Sequence, residues 1–270
     1  MMKKIILIFT AILLLVSLTA CGKKATSGAL SEEKLVIGVS AGPHEQIMEK
    51  VKELAAKDGL EIEVKTFTEY VLPNIALAEG ELDINSFQHK PYLDNFKKDR
   101  NLDLIEVAYT VNFPMGLYSE GLTDVKDLKE GDLLGLPNDP TNGARALILF
   151  ENAGLIKLKE GVGVAATVND VIENPKNLKL IELEASSIPQ QLGELAVAAI
   201  NSNYAIEHDF VPTRDSIFIE PNDSPWVNVI AVRTENKDDT AVKKLLQYYH
   251  SDEVKQFIEE TFQGSVVPAW

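Results

Sequence analysis

The stretch "KLVIGVS" at residues 34–40, followed by "HEQIMEKVKELAAKDG" at residues 44–59, decides the fold class. The first run is short, apolar and rich in β-branched residues, which is typical of a buried strand. The second repeats apolar side chains at helical spacing and ends at Gly59, a residue that favours a helix stop. A buried strand followed at once by an amphipathic helix indicates the first unit of an α/β domain.

The same alternation continues outward along the chain. Further strands are expected at 60–67, 81–87 and 102–109, and further helices at 71–80 and 90–100. Strands that alternate with helices in this way predict a parallel sheet covered by helices. We therefore expect a first lobe over residues 34–112.

A second alternating series follows. Strands are expected at 132–137, 178–184 and 195–205, and helices at 125–131, 142–154 and 188–194. This series predicts a second lobe over residues 113–225. A strand at 226–233 and two helices at 239–250 and 251–262 would then return the chain, so that residues 226–270 complete the first lobe. Two lobes joined by two crossings predict a cleft, and such clefts bind small ligands.

The N-terminus has the composition of a secretion signal. Lys3 and Lys4 precede the 14-residue apolar run "IILIFTAILLLVSL", which is shorter than the roughly 20 residues of a membrane-spanning helix. Residues 1–20 are therefore predicted to be a signal peptide. Cys21 is the only cysteine, which excludes an intramolecular disulfide, and small polar residues over 21–33 predict a flexible tether.

The segment "LTAC" that ends at Cys21 resembles the lipobox of bacterial lipoproteins. The resemblance implies cleavage before Cys21 and attachment of a diacylglyceryl lipid there, with fatty-acyl chains such as palmitate. The protein is then expected on the extracytoplasmic face of the cell membrane, held by its lipid. An ordinary signal peptide with an incidental free thiol is the alternative.

The charge balance limits the possible partners. Lys and Arg number 26 and Asp and Glu number 41, which gives a formal net charge of -15. Nucleic-acid binding depends on clustered basic residues, so it is not expected for this acidic chain. A strongly acidic surface also favours a soluble monomer.

Polar clusters follow several expected strands, and "NDPTNGAR" at residues 138–145 is the most informative. The cluster lies at the start of a helix, where free backbone N–H groups would attract an anion. Arg145, about one turn into the helix, would add a bidentate guanidinium. The alternative is that Asp139 and Thr141 only cap the helix and that Arg145 forms an ion pair at the surface.

Several segments together resemble one family. "EYVLPNIALAEGELDINSFQHKPYLDNF", "VNFPMGLYS", "PNDPTNGARAL", "IENPKNLKLIELEA", "AINSNYA" and "DSPWVNVI" are similar to the NlpA-type methionine-binding lipoproteins of bacterial ABC importers. The resemblance extends from Lys34 to Trp270. It implies a type II, two-lobed periplasmic-binding-protein fold that closes on L-methionine and delivers it to a membrane permease with its ATPase. D-methionine and a methionine-containing dipeptide remain alternative ligands.

The resemblance also implies a set of ligand-binding side chains. Those expected around the thioether are Tyr70, Phe87, His89 and Tyr92. Those expected around the charged end are Arg145 for the carboxylate, Asn201 and Asn228 for the amino-acid backbone, and Asn142 beside them. A ring pocket suits polarizable sulfur, and neutral amides suit a zwitterion. His89 could instead be a satisfied core residue. Trp226 stands where the family often has Tyr, which leaves fine specificity open.

Other classes of protein find little support in the sequence. The four histidines are scattered and lack the spacing of a zinc site, so neither a metal nor another cofactor is expected. An enzyme is not expected either, because GxSxG, Walker-type and GxGxxG motifs are missing from the sequence. A structural or adhesive surface lipoprotein is a third class, and it would not require Arg145 to meet the rings.

Overall fold

The structure is a computed structural model that describes residues 28–221 and 224–270. The predicted signal peptide and Cys21 lie outside the described residues. Within the described part of the chain, no helix is both long enough and apolar enough to cross a membrane.

Helices and strands alternate as expected through most of the chain. The helices are α1 Pro43–Lys57, α2 Leu72–Ala78, α3 Lys90–Arg100, α4 Pro140–Asn152, α5 Ser202–Glu207, α6 Pro212–Asp215, α7 Thr240–Tyr249 and α8 Asp252–Phe262. The strands are β1 Lys34–Ser40, β2 Glu61–Phe67, β3 Ile84–His89, β4 Leu104–Asn112, β5 Gly116–Tyr118, β6 Leu133–Pro137, β7 Lys157–Leu158, β8 Val171–Glu173, β9 Lys179–Leu183, β10 Val197–Ile200, β11 Phe218–Ile219, β12 Val227–Arg233 and β13 Val267–Pro268.

The first sheet has the order β13-β4-β12-β3-β1-β2. Strand β1 pairs in parallel with β2 and β3, whereas β12 is antiparallel to both β3 and β4. The strands expected from residues 34–112, β1 to β4, therefore run parallel to one another, as predicted, and β12 and β13 run in the opposite direction. Strand β12 returns from late in the sequence and enters the sheet in the reverse direction, instead of following a helical βαβ crossover.

The second sheet has the order β11-β5-β10-β6-β9. Strand β6 is parallel to β9 and β10, whereas β5 is antiparallel to β10 and β11. Each sheet has its own apolar core, one built around Ile47, Leu245 and Ile258 and the other around Leu134 and Phe150. Because the chain passes between the sheets after β4 and again before β12, we propose that the lobe boundaries fall near residues 112 and 226.

Three expected elements differ from the structure. Residues 125–131 form only the 3₁₀ turn Val125–Asp127, and residues 188–194 contain the 3₁₀ helix Pro189–Glu194 instead of an α-helix. The strand expected over 195–205 ends at Ile200, and helix α5 begins two residues later. The change follows the switch from apolar "VAAI" to polar "NSN", because Asn and Ser favour caps and turns over a strand ladder.

Residues before β1 also contact the first lobe. The Leu30 side chain is buried in the core, and its N–H donates to Asp239 Oδ2 at 2.8 Å. The backbone oxygen of Gly28 accepts a hydrogen bond of 3.0 Å from Asn236 Nδ2. The flexible tether expected over residues 21–33 therefore does not extend to residue 30.

Candidate ligand-binding site

A cavity lies where the carboxyl ends of β1 and β3 meet the starts of α4 and α5. Its lining combines aromatic rings with amide, imidazole and guanidinium groups, a mixture typical of small-molecule sites. All eight side chains that the sequence predicted for the ligand line it. The lining also contains five residues that sequence reasoning missed, namely His44, Gln88, Phe113, Ser202 and Asn203.

Aromatic rings form one wall of the cavity. The Tyr70 ring centroid lies 6.0 Å from that of Phe87 and 5.9 Å from that of Tyr92, with Phe87 and Tyr92 edge-on at 6.1 Å. The Tyr92 hydroxyl donates to the Tyr70 carbonyl at 3.1 Å. All three rings are buried. Rings held in tilted and edge-on contacts present a preformed apolar surface of the kind that an uncharged side chain fills.

His89 joins this wall to the second lobe. Its Nδ1 accepts from the Tyr92 N–H at 3.1 Å and thereby caps α3, so the ring proton is on Nε2. Nε2 then donates to Asn142 Oδ1 at 3.1 Å. Burial, together with the positive charge of Arg145, lowers the pKa of His89 to about 3. His89 is thus a neutral histidine with both nitrogens satisfied that also faces the cavity.

Asn142 is held from three sides. Its Nδ2 donates to Asp139 Oδ2 at 2.9 Å, and its Oδ1 also accepts from Asn201 Nδ2 at 2.8 Å. Asp139 caps α4 by accepting from the N–H groups of Thr141 and Asn142. The expectation that free N–H groups at this helix start attract an anion is therefore wrong, because the Asp139 carboxylate already occupies them. Burial raises the pKa of this carboxyl.

Arg145 is buried and paired with a carboxylate. Its Nε donates to Glu220 Oε1 at 2.8 Å, its Nη2 donates to Glu220 Oε2, and Nη2 also donates to the Phe113 carbonyl at 2.7 Å. The alternative prediction of an ion pair at the surface is therefore confirmed for the ion pair and wrong for the position, because the pair is buried. Within residues 28–221 and 224–270, none of the hydrogen bonds of Arg145 uses Nη1.

Three buried polar atoms of the lining have no hydrogen-bond partner in the described part of the chain. They are His44 Nδ1, Asn201 Oδ1 and Asn203 Nδ2. The other amide atom of Asn203 is engaged, because Oδ1 accepts from the Tyr70 hydroxyl at 2.6 Å. Buried polar groups are nearly always satisfied in folded proteins, by protein atoms, ordered water or a bound ligand, so these three atoms are candidates for contact with a polar group inside the cavity.

An amide network holds the strand that carries part of the ring wall, and one of its members, Gln88, also lines the cavity. Asn74 and Gln88 exchange two hydrogen bonds of 2.7 Å, and Asn85 donates to Asn74 Oδ1 at 2.9 Å. All three side chains are buried. A fully connected network of this kind fixes β3 against α2, and β3 carries both Phe87 and His89.

Trp226 stands behind the polar side of the site. Its buried ring lies edge-on to His89 at 5.2 Å, and the Arg145 guanidinium carbon is 5.5 Å from its ring centroid. Trp226 therefore acts on the site through two lining residues. Among the described residues, no group of three or more His, Cys, Asp or Glu side chains is arranged to hold a metal ion.

Local sequence carried a usable signal for one of the missed residues. Asn203 lies two residues from Asn201 in "INSNY", and the short helix α5 turns both toward the cavity. For His44, the sequence raises only the question of a metal ligand, as one of four scattered histidines. Its position in the lining depends on the packing of α1 against the first sheet and against α5, which no local pattern reports.

Comparison with known proteins identifies the family to which the chain is similar. The family profile described as NlpA lipoprotein matches residues 35–270. The D-methionine-binding lipoprotein MetQ of Salmonella typhimurium is 44% identical over 256 residues, which cover 92% of this chain and 94% of the relative. These relatives are named as lipoproteins and binding proteins, in agreement with the predicted absence of enzymatic activity.

Solved structures agree with the sequence matches. A nutrient-binding protein from Burkholderia cenocepacia bound to methionine superposes with a TM-score of 0.86 at 44% identity, covering 87% of this chain and 100% of that one. A periplasmic substrate-binding protein of an ABC transporter from Coxiella burnetii gives a TM-score of 0.84 at 41% identity, covering 87% and 100%. The chain therefore belongs to the NlpA lipoprotein family and has the two-lobed α/β fold of periplasmic substrate-binding proteins, as its sequence predicted.

Proposed function

We propose that this protein captures methionine in the cavity between its lobes and delivers it to an ABC importer. One observation carries the proposal: aromatic rings and unpartnered polar atoms line the same buried cavity. A relative of 44% identity that was solved with methionine bound supports the same ligand.

The ring wall would receive the methionine side chain. Tyr70, Phe87 and Tyr92 offer faces and edges to a thioether, and sulfur–ring contacts are favourable. Complete burial of such a side chain contributes about 1.5–3 kcal/mol. The wall contains no charged side chain, so an amino acid with a charged side chain would be rejected.

The polar side would receive the zwitterionic end. Arg145 Nη1 and Asn203 Nδ2 are donors suited to the carboxylate, and Asn201 Oδ1 is an acceptor suited to the ammonium. Asn228, at the start of β12, lines the cavity beside them. Because Glu220 already balances the charge of Arg145, the site is close to neutral, which matches a ligand with no net charge.

Ligand contacts from both lobes would favour the closed state. The two lobes already meet through the Tyr70–Asn203 and His89–Asn142 hydrogen bonds. A ligand that touches both sides adds affinity only when the lobes are closed, and that difference shifts the population. The permease would then recognise the closed shape of a monomeric protein anchored in the membrane by a lipid on Cys21.

We propose L-methionine as the ligand, with D-methionine as the second candidate. The second candidate is favoured by the name of the Salmonella relative, which is a D-methionine-binding lipoprotein. A methionine-containing dipeptide would have to fit an additional residue into the same enclosed space.

Calorimetric titration tests the proposal. The protein without its signal peptide is unfolded and refolded to remove any co-purified ligand, and then titrated with L-methionine, D-methionine, a methionyl dipeptide and norleucine, which replaces sulfur with methylene. We expect methionine to bind and norleucine to bind more weakly. Failure of every methionine compound to bind would refute the proposal.

A matched pair of variants links the binding to this cavity. Asn201→Ala removes the acceptor proposed for the ammonium, and hydrogen bonds to charged groups contribute about 1.5–3 kcal/mol, so affinity should fall at least tenfold. The control is Asn152→Ala, at an exposed position at the end of α4. Equal affinities of the two variants would place the ligand elsewhere.

A further inference from the structure

We propose that His44 is an additional ligand-binding residue whose Nδ1 accepts a hydrogen bond from the α-ammonium of the bound amino acid. The inference rests on the proposed function, since it assigns a role within the same cavity. Sequence resemblance gave His44 no part in the site.

The position of His44 is fixed by the start of α1. Pro43 occupies the first helical position, His44 follows it, and the imidazole packs on the Phe113 ring with a centroid distance of 4.7 Å. The side chain is only 3% exposed, and it still lines the cavity. The buried His44 ring is therefore positioned to contact a ligand that occupies the cavity.

The hydrogen bonding of His44 is incomplete. Its Nδ1 is buried and has no partner in residues 28–221 or 224–270, which contrasts with His89, whose two nitrogens are both bonded. An unsatisfied buried polar group is unfavourable for the fold unless something else satisfies it. Burial lowers the pKa of His44 to about 3, so the ring is neutral near pH 7 and has a lone pair to offer.

The ammonium of an amino acid needs acceptors, and the cavity offers few. The carboxylate of Glu220 is already taken, because Oε1 accepts from Arg145 Nε and Oε2 accepts from both Arg145 Nη2 and the Met115 N–H. Asn142 Oδ1 accepts from both His89 and Asn201. The buried acceptors left without a partner in the described lining are Asn201 Oδ1 and His44 Nδ1.

The two acceptors approach from different lobes. The loop that leads into α1 abuts α5, since a Cβ added at Gly42 would lie 3.5 Å from the Asn203 carbonyl oxygen. His44 therefore enters the cavity from the first lobe beside the amide residues of the second. An ammonium with three N–H donors would bridge His44 and Asn201 and so help to hold the lobes together.

The test compares His44→Leu with His44→Gln in the refolded protein, with L-methionine and D-methionine as probes. Leucine fills similar space and has no acceptor, so methionine affinity should fall at least tenfold. The unfolding midpoint of the ligand-free protein should stay the same or rise, because an unsatisfied buried nitrogen is gone. Gln retains an acceptor and should restore most of the affinity.

The control is His250→Leu. His250 Nε2 already has a partner, the Tyr109 carbonyl at 2.9 Å, and neither residue lines the cavity. We expect unchanged methionine affinity for this control. Unchanged affinity in His44→Leu would overturn the inference, as would a parallel loss of affinity and unfolding midpoint, which would mark a purely structural residue.

A deaminated analogue, 4-(methylthio)butanoate, identifies the group that is contacted. Its affinity, measured by displacement at high concentration, should be the same for the original protein and for His44→Leu. An equal fold-loss for this analogue and for methionine would show that His44 does not contact the ammonium. If the original protein binds no methionine, the proposed function fails first, and that outcome is distinct from failure of His44 alone.

Discussion

The buried pair of Arg145 and Glu220 provides the sharpest test of how this site is built. We consider Glu220→Gln, which removes one charge and keeps the size of the side chain. Arg145 is 2% exposed and Glu220 is 7% exposed, so solvent cannot replace the lost partner. The substitution leaves a buried guanidinium without its counter-charge.

The magnitude follows from the contacts. Removing one partner of a buried ion pair costs about 3–5 kcal/mol. Gln retains one acceptor oxygen, which favours the lower end of that range, but three N–H groups that now donate to the carboxylate, Arg145 Nε, Arg145 Nη2 and Met115 N, must compete for it. We therefore expect a loss of about 3 kcal/mol in unfolding free energy. For a chain of this size that corresponds to a midpoint about 6–12 °C lower.

The assay is thermal and denaturant unfolding of the ligand-free protein, followed by a double-mutant cycle. Arg145→Met combined with Glu220→Leu removes both charges together, and we expect the pair to be more stable than either single variant. The control is Glu173→Gln in the exposed pair with Lys157, whose N···O distance is 3.0 Å, and its midpoint should not change.

Two outcomes would refute this reasoning. A midpoint for Glu220→Gln equal to that of the original protein would mean that the guanidinium is not desolvated. Additive losses in the double variant would mean that the two side chains are not energetically coupled. In the proposed binding reaction, methionine should also raise the midpoint of Glu220→Gln more than that of the original protein, because its carboxylate supplies the missing charge.

Two further predictions concern stability. Burial lowers the pKa of His44 and of His89 to about 3. Between pH 6.5 and 3 the unfolded chain therefore binds protons that the folded chain does not. The free energy of unfolding should fall with decreasing pH by about 1.4 kcal/mol per pH unit for each histidine. Denaturant titrations at pH 7 and 5 measure this slope, and an identical slope in His44→Gln would contradict it. Gly143→Ala would place a Cβ 2.9 Å from the Pro137 carbonyl oxygen, so we expect a loss of about 1–3 kcal/mol in unfolding free energy. The control Gly121→Ala, whose added Cβ has no atom within 4 Å, should be neutral in the same denaturant titration. Equal stability of the two variants would show that α4 can shift freely.

The sequence by itself determined the order of most helices and strands and the family of the fold. Apolar periodicity is a local property, so α1 and β1 could be predicted from residues 34–59 alone. The resemblance supplied eight side chains, and the structure brings all eight to one cavity. Their roles toward a ligand remain proposals.

Only the tertiary structure decided which polar groups in that cavity are satisfied. Glu220 pairs with Arg145 across 75 residues of chain, and Asn203 meets Tyr70 across 133. The reversed direction of β12 has the same origin, since its partners are strands from the first half of the chain. Contacts between such distant residues depend on how the two lobes are assembled, and burial then determines which donors and acceptors water can no longer reach. Local sequence encodes neither, and for that reason the unpartnered Nδ1 of His44 became visible only in the folded chain.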